Sequence, residues 1–149
     1  MKTIEWTLDD FNGLDTKKLY QILKTRAEVF VVEQQCNYLD PDGVDIQSMH
    51  LCGWQANELI AYARIIPAGI AYAEASIGRV LIRKQFRGNG TGKLLMQKSI
   101  EACKTLGNGS IHISAQYYLL DFYTNLGFGI VGEQYLEDDI PHIGMIYKN

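Results

Sequence analysis

The chain has 149 residues, a formal net charge of −3 and a pI of about 5.6. This length is typical of one domain, and the acidic balance argues against a general nucleic-acid-binding protein. The three cysteines are widely spaced and form no CxxC pair, and no stretch approaches the roughly 20 apolar residues of a membrane span. We therefore expect a cytoplasmic protein with no nucleic-acid or membrane partner.

The first third of the chain predicts a strand, a helix and a loop. Residues 3–7 (TIEWT) have the pattern of a short strand. From Thr16 the apolar residues recur at helical spacing as far as Phe30, with Asp15 or Thr16 as the N-cap. The turn-rich stretch CNYLDPDGVD follows and predicts a loop.

The remaining elements alternate between strands and helices. MHLCGWQ and LIAYARII flank ANE and predict an antiparallel hairpin that ends at Pro67. The strand at 75–82 runs into a glycine-rich turn. A helix follows whose apolar stripe reaches Leu106, and Gly107 is expected to close it as the C′ glycine. SIHISA predicts a strand, YLLDFYTNL a short helix capped by Gly127, and GIVGEQYL with HIGMIYK a final hairpin. This order predicts an α/β fold with a mixed central sheet.

The glycine-rich turn RGNGTGK predicts a phosphate site built from backbone amides at a helix N-terminus. It is not a P-loop, because the leading glycine would fall at Arg87 and Leu94 replaces the hydroxyl that binds magnesium. It is not a dinucleotide-binding turn either, because Lys93 or Leu95 occupies the position of the third glycine. A tight turn whose glycines serve packing alone remains the structural alternative.

The pattern Gln85-x-x-Gly88-x-Gly90 resembles the Q/RxxGxG/A turn that opens the central helix of GNAT-type N-acetyltransferases. Further along the chain, DFYTNLGF resembles the second signature of that superfamily. RAEVFVVEQQCNYLDPDGVD, GWQANELIAYARI, IGRVLI and EDDIPHIGM are similar to its ElaA-like branch. The resemblance implies one GNAT (acyl-CoA N-acyltransferase) domain over residues 1–149. Two parallel strands of its mixed central sheet splay apart, and helices flank the sheet.

The resemblance also implies the reaction. The enzyme would use acetyl-CoA as acyl donor and no metal, and it would transfer the acetyl group directly to an amine within a ternary complex. The acceptor would be a small-molecule or peptide amine, and the protein would be a monomer or a homodimer.

The cofactor residues implied by the resemblance lie on the strand before the turn and on the turn itself. Main-chain groups of Val80, Leu81 and Ile82 would meet pantetheine, with an N–H near Val80 as oxyanion donor. The turn residues expected to bind the pyrophosphate are Gln85, Phe86, Arg87, Gly88, Asn89, Gly90, Thr91, Gly92 and Lys93. The side chains of Arg83, Arg87 and Lys93 offer positive charge for phosphate oxygens, although an ordinary solvated face has the same pattern.

Tyr123 matches the tyrosine that lies near the CoA sulfur in this family, which implies a general acid for the departing thiolate. A buried core tyrosine is the structural alternative. The attacking amine also needs a base. Glu74, near the start of the central strand, and His142, in the final hairpin, are the main candidates. Glu33 and His112 are further ones.

Two other functions remain open. One is an acyltransferase similar to autoinducer synthases, which have the GNAT fold and acylate an amino-acid-derived amine. Those enzymes are longer and lack the QxxGxG turn. The positions that carry this second resemblance are Arg26, Phe30, Asp42, Asp45 and Arg64. The aspartates also fit ordinary turn chemistry. The other alternative is a CoA-binding module without catalysis.

Overall fold

The computed structural model describes residues 3–148, so the first two residues and the last one of the expected domain lie outside the described part. This part forms seven strands and three α-helices, joined by loops and by short 3-10 and π-helical segments. In chain order they are β1 (Glu5–Asp10), α1 (Thr16–Arg26), β2 (Met49–Gln55), β3 (Glu58–Ile66), β4 (Ser76–Ile82), α2 (Thr91–Cys103), β5 (Ile111–Gln116), α3 (Leu120–Asn125), β6 (Phe128–Glu137) and β7 (Ile140–Tyr147).

The strands form two antiparallel sheets that meet at one point. One sheet has the order β1-β2-β3-β4 and the other β5-β7-β6. A single parallel bridge joins Ala75, just before β4, to Ile111 at the start of β5. There the N–H of His112 donates to the carbonyl of Ala75 at 2.9 Å. Beyond this bridge β4 and β5 pair no further, so the predicted mixed sheet with splayed parallel strands is confirmed.

Helices cover the first sheet on both faces. On one face Leu95, Met96 and Cys103 of α2 enter the main core. On the other, Ile22 of α1 packs against Tyr62 in a second cluster. Because both faces are covered, β3 is buried at every position after its first, as is usual for the centre of an α/β protein.

The helix boundaries differ from the sequence prediction in two places. Asp15 caps α1 as predicted, accepting from the N–H of Lys18 at 2.7 Å. However, α1 ends at Arg26 and the chain continues as a π-helix over Ala27–Glu33. The predicted C-cap at Gly107 is wrong, because α2 ends at Cys103 and Gly107 has no positive φ.

Charged side chains anchor the loop between the π-helix and β2. Three arginines and three aspartates meet beneath it, and we call them the loop ion cluster: Arg26, Arg64, Arg79, Asp40, Asp42 and Asp45. Arg26 donates from Nε to Asp40 at 2.7 Å and from Nη1 to Asp45 at 2.6 Å. Arg64 donates from both Nη atoms to Asp42, at 2.7 and 2.9 Å. These contacts tie the loop to α1, β3 and β4.

The cluster shifts the pKa of its own members. Burial alone lowers the pKa of Arg26, but the hydrogen bond to Asp45 and nearby negative charge outweigh it and raise the pKa. Burial alone raises the pKa of Asp45, but the hydrogen bonds and charges of Arg26 and Arg64 outweigh it and lower the pKa. Asp45 therefore contributes stability above the pKa of an unfolded aspartate, about 3.9. That contribution is lost as the pH falls through the lower folded pKa.

Arg26→Met tests the loop ion cluster. The substitution leaves Asp40 and Asp45 buried with less positive charge, so we expect the free energy of unfolding to fall by about 3–5 kcal/mol at neutral pH. Urea denaturation measures this. The control is Lys104→Met, which breaks an exposed pair with Glu101 and should cost at most about 1 kcal/mol. The difference in unfolding free energy between the two variants should become smaller in acid. Equal losses at neutral pH would show that the loop ion cluster does not stabilise the fold as described.

Candidate active site

A cavity of about 660 Å³ lies in the gap between β4 and β5. Its walls are residues 77–82 of β4, the far half of β5, the glycine turn, α3, the chain after α1 and the β6–β7 turn. Ligand pockets commonly have volumes of roughly 300–1,000 Å³. The splay of the two strands thus creates a space large enough for an extended ligand beside the open edge of β4.

A β-bulge distorts β4 where it borders the cavity. Tyr62 of β3 pairs with Leu81, and Arg64 pairs with Gly78, so β4 has one residue more than β3 between these pairs. Arg79 lies in the bulge with a left-handed φ of 50°, a conformation that costs a non-glycine residue roughly 1–2 kcal/mol. Its guanidinium is held by the loop ion cluster. Bulges bend a strand, and this one lies in the pairing with β3, on the stretch of β4 that lines the cavity.

The glycine turn owes its shape to two left-handed residues. Gly88 and Gly90 both have φ of 86°, and Gly90 is the N-cap of α2. A Cβ at either would meet no atom within 4 Å, so the backbone conformation, not lack of space, favours glycine. The side chain of Asn89 accepts from the N–H and the hydroxyl of Thr91, at 3.3 and 2.6 Å.

This turn presents a row of free backbone donors. Within residues 3–148, five backbone N–H groups at the start of α2 have no hydrogen-bond acceptor: those of Gly88, Asn89, Gly90, Gly92 and Lys93. The positive end of the helix dipole lies at the same place. The side chain of Lys93 lines the cavity and forms no ion pair with any described residue. A diphosphate is the kind of group that such a donor set binds.

The two predicted arginines are already paired. Arg87 lines the cavity, and its Nη1 and Nη2 lie 2.7 and 3.1 Å from the carboxylate oxygens of Glu33. Its Nε donates to the carbonyl of Ile82 at 2.7 Å. Arg83 instead pairs with Glu28 and Glu58 and does not line the cavity.

The structure brings most of the predicted cofactor residues to the cavity. Those that line it are Val80, Leu81, Ile82, Arg87, Gly88, Gly90, Gly92 and Lys93. Gln85, Phe86, Asn89 and Thr91 lie outside its lining, although they belong to the same turn. Phe86 packs against the main core. The contacts of all twelve with a cofactor stay predictions.

Tyr123 lies in α3 with its ring between Phe122 and Phe128, at centroid distances of 5.1 and 5.9 Å. It lines the cavity although only 7% of its surface is exposed. Burial, with a smaller effect of Tyr118, raises the pKa of Tyr123 to about 12. The hydroxyl is therefore protonated at neutral pH. No residue in the described part hydrogen-bonds with it, so its proton is available to a ligand.

His142 also lines the cavity and is 6% exposed. Its Nδ1–H donates to the carbonyl of Ile140 at 2.7 Å, so Nε2 is the ring nitrogen that faces other partners. Nε2 lies 3.3 Å from a carboxylate oxygen of Glu137, a further cavity residue. A ring that takes a proton from a ligand becomes an imidazolium, and a carboxylate at this distance stabilises that charge.

Glu74 and His112 come together, but away from the cavity lining. The Glu74 carboxylate lies 3.5 Å from Nδ1 of His112, whose ring stacks on Tyr72 at 3.8 Å. Both residues are next to the bridge between Ala75 and Ile111, at the closed end of the gap. Their proposed roles as bases stay predictions.

Sequence reasoning did not identify several cavity residues. They come from the chain after α1, the end of β5 and the β6–β7 turn, and they are Gln34, Cys36, Tyr38, Gln116, Glu137 and Asp138. None belongs to a glycine or tyrosine signature. The acidic turn EDD just before His142 was the one signal in the sequence, because a turn beside a candidate base is placed to meet the same ligand.

The chain matches the family model for the GNAT acetyltransferase domain over residues 19–149. It is 41% identical to ElaA of Escherichia coli over 145 residues, which is 95% of each chain. It is 42% identical to a UPF0039 protein of Synechocystis sp. over 147 residues, 97% of this chain and 96% of the other. The chain therefore belongs to the GNAT family and is an acyltransferase.

Solved structures place it within one branch of that family. The crystal structure of Escherichia coli ElaA superposes with a TM-score of 0.92 at 40% identity, covering 98% of this chain and 100% of the other. An acyl-CoA N-acyltransferase of Pseudomonas aeruginosa gives 0.91 at 39% identity, covering 97% and 99%. The acyl-homoserine lactone synthase LasI gives 0.78 at 13% identity, covering 98% and 90%, so it shares the fold. The predicted ElaA-like GNAT membership is confirmed, and members of this family use acyl-CoA donors and amine acceptors.

Residues 3–148 lack two features, a membrane-spanning helix and a cluster of metal ligands. No helix there is both long and apolar enough to cross a bilayer. No group of three or more His, Cys, Asp or Glu residues there is arranged to hold a metal ion.

Gly90→Val tests the row of amides. Valine disfavours a φ of 86° and places a branched side chain beside the free N–H groups that we expect to bind a phosphate, so binding of CoA should be lost in a folded protein. Calorimetry with CoA and circular dichroism measure the two properties. Gly69→Val is the matched control, because Gly69 has φ of 88° and equally open surroundings outside the cavity. Undiminished affinity in Gly90→Val, or equal losses in both variants, would show that the amides at Gly90 do not bind the ligand.

Proposed function

We propose that this chain, as one domain over residues 1–149, is an acetyl-CoA-dependent N-acetyltransferase. It transfers the acetyl group directly to an amine in a ternary complex, without a metal. One observation carries the proposal: a single cavity joins the free amides at the start of α2 to the hydroxyl of Tyr123 and to His142. An anion site, an acid and a base are the groups that acyl transfer from a CoA thioester to an amine requires.

The residues present fit the cofactor. The free amides and Lys93 suit its pyrophosphate, and the unpaired edge of β4 offers main-chain groups of Val80, Leu81 and Ile82 to its extended amide arm. Contacts along a strand edge are directional and demand no particular side chain. The thioester supplies the activated acyl group.

The side chains then divide the proton transfers. His142 Nε2, beside Glu137, takes the proton from the attacking amine. Tyr123 donates its proton to the departing thiolate, because its hydroxyl is protonated at neutral pH and its side chain lines the cavity. A backbone N–H near Val80, in the bulge of β4, stabilises the oxyanion. Glu74 stays the alternative base, acting through water, since its carboxylate lies outside the cavity lining.

The resemblance to autoinducer synthases gains no support from the cavity. Arg26, Asp42, Asp45 and Arg64 do come together, but their charges pair with one another in the loop ion cluster. None of these four lines the cavity, whereas Phe30 does. Their contacts account for an anchored loop rather than for a substrate site.

The experiment that tests the function combines binding and turnover. Calorimetry with acetyl-CoA in EDTA should show tight binding, because the donors are backbone amides and lysine rather than a metal. Release of free thiol is then followed with a panel of amines. Loss of binding on chelation would overturn the metal-free cofactor site. Binding without acetylation of any amine would favour the non-catalytic CoA-binding module.

Tyr123→Phe separates an enzyme from a binding module. The change removes one hydroxyl and keeps the ring that packs against Phe122 and Phe128. We expect kcat to fall by roughly 10²–10⁴-fold with little change in KM, because the proton is needed only in the transition state. Acetyl-CoA should still bind. Tyr20→Phe, on the exposed face of α1, is the control. Wild-type kcat in Tyr123→Phe would remove this residue from the mechanism.

His142→Gln and Glu74→Gln distinguish the two candidate bases. If His142 takes the proton, His142→Gln should lower kcat by roughly 10²–10⁴-fold while acetyl-CoA still binds. Glu74→Gln should leave kcat nearly unchanged, since its carboxylate contacts His112 outside the cavity lining. Steady-state kinetics and calorimetry with both variants measure these effects. The reverse pattern would assign the base to Glu74.

A further inference from the structure

The end of the π-helix and the chain after it line the cavity and contact its other walls. We call residues 33–36 the strap. Besides the pair of Glu33 with Arg87, the side chain of Gln34 accepts from Gln116 at 3.3 Å, and Sγ of Cys36 lies 3.6 Å from the carbonyl of Asp138. The strap thus contacts the glycine turn, β5 and the β6–β7 turn. Its contact with the glycine turn is the ion pair.

In that ion pair Glu33 occupies the guanidinium of Arg87, which lies on the glycine turn. Arg87 follows Gln85 by two residues and stands directly before Gly88, whose N–H is the first of the free donors. A diphosphate seated on these amides lies within the same turn and competes with Glu33 for Arg87. Arginine binds phosphate oxygens in the same bidentate manner as a carboxylate, and a diphosphate carries more negative charge than one carboxylate.

When Arg87 exchanges Glu33 for a phosphate, the charge that Glu33 presents to the cavity changes. While Arg87 holds it, the Glu33 carboxylate is neutralised. When Arg87 turns to a phosphate, Glu33 becomes an uncompensated carboxylate that lines the cavity and is about one-third exposed. Alkyl amines have a pKa of about 10, as lysine has, so an acceptor amine arrives as an ammonium ion. An uncompensated carboxylate binds such an ion.

We propose that Glu33 binds the ammonium group of the acceptor and becomes available when the cofactor's phosphates take Arg87 from it. This inference rests on the proposed function and adds a specificity-determining residue to it. Cofactor and amine then bind cooperatively, and each raises the affinity for the other by the same factor. Glu33 acts only on the binding of the acceptor. The proton of the ammonium group is still removed by the base of the proposed function.

The first experiment is a double-mutant cycle on CoA binding by calorimetry, with wild type, Glu33→Gln, Arg87→Gln and the double variant. Removing the competitor for Arg87 should tighten CoA binding in Glu33→Gln by roughly two- to fivefold, the range expected of an exposed pair. Arg87→Gln should weaken it. In the Arg87→Gln background Glu33→Gln should have no effect, whereas simple repulsion between Glu33 and the phosphates would persist there. Glu101→Gln, which breaks the exposed pair with Lys104, is the matched control and should change nothing.

The second experiment measures amine binding directly. CoA without an acyl group prevents turnover, and the probes are benzylamine, spermidine and lysine amide, which share an ammonium group. At least one of them should bind to the wild-type complex with saturating CoA and bind much more weakly to the protein alone. Glu33→Gln should lose the CoA-dependent binding.

The outcomes separate this inference from the proposed function. If the wild type fails to bind CoA, the proposed function itself fails. If CoA binds normally but Glu33→Gln leaves its affinity unchanged or weaker, the exchange is wrong. If no probe shows CoA-dependent binding, or if that binding survives in Glu33→Gln, the ammonium site at Glu33 is wrong while the cofactor site stands.

Discussion

The structure depends on how β4 and β5 meet: they are joined at one end and separated at the other. The bridge between Ala75 and Ile111 holds β4 and β5 together, and from there the strands diverge. The divergence leaves backbone groups of β4 without partners on one edge, which is costly unless a ligand or water satisfies them. The free amides of the glycine turn, Tyr123 and His142 all border this one gap. The position of each candidate catalytic group therefore depends on the shape of the sheet.

The loop ion cluster is a second constraint on the same gap. Arg79 belongs both to the bulge of β4 and to the cluster, where Asp40 accepts from its Nε at 2.9 Å. Asp40 also accepts a hydrogen bond from Arg26, the last residue of α1. From Arg26 the chain continues into the π-helix and then the strap. The charges that anchor a remote loop thus also fix the edge of β4 and the start of the strap. Such a network is specific because each buried charge requires its partner.

The surroundings of Tyr123 and His142 differ in ways that fit the roles proposed for them. Tyr123 is held among aromatic rings, and burial raises the pKa of its hydroxyl, which stays protonated at neutral pH. His142 is fixed by the carbonyl of Ile140, which leaves its other nitrogen facing elsewhere. Glu137 faces that nitrogen from the neighbouring strand. The proposed acid and the proposed base therefore line the same cavity.

The sequence by itself determined most of the elements and the conformation of the glycine turn, because both are local. Hydrophobic periodicity and the Asp15 cap predicted the strands and α1, and the left-handed glycines at Gly88 and Gly90 follow from the turn's own composition. It erred at Gly107, where a late 3-10 turn replaces a glycine cap, and it missed the π-helix, whose apolar stripe looks like that of an α-helix. The tertiary structure alone decided the site beyond the glycine turn. It paired Arg87 with Glu33 from a segment far away in the chain, placed Glu137 beside His142, and turned Glu74 toward His112. The physical reason is that these contacts join residues of separate segments, which come together only when the chain has folded.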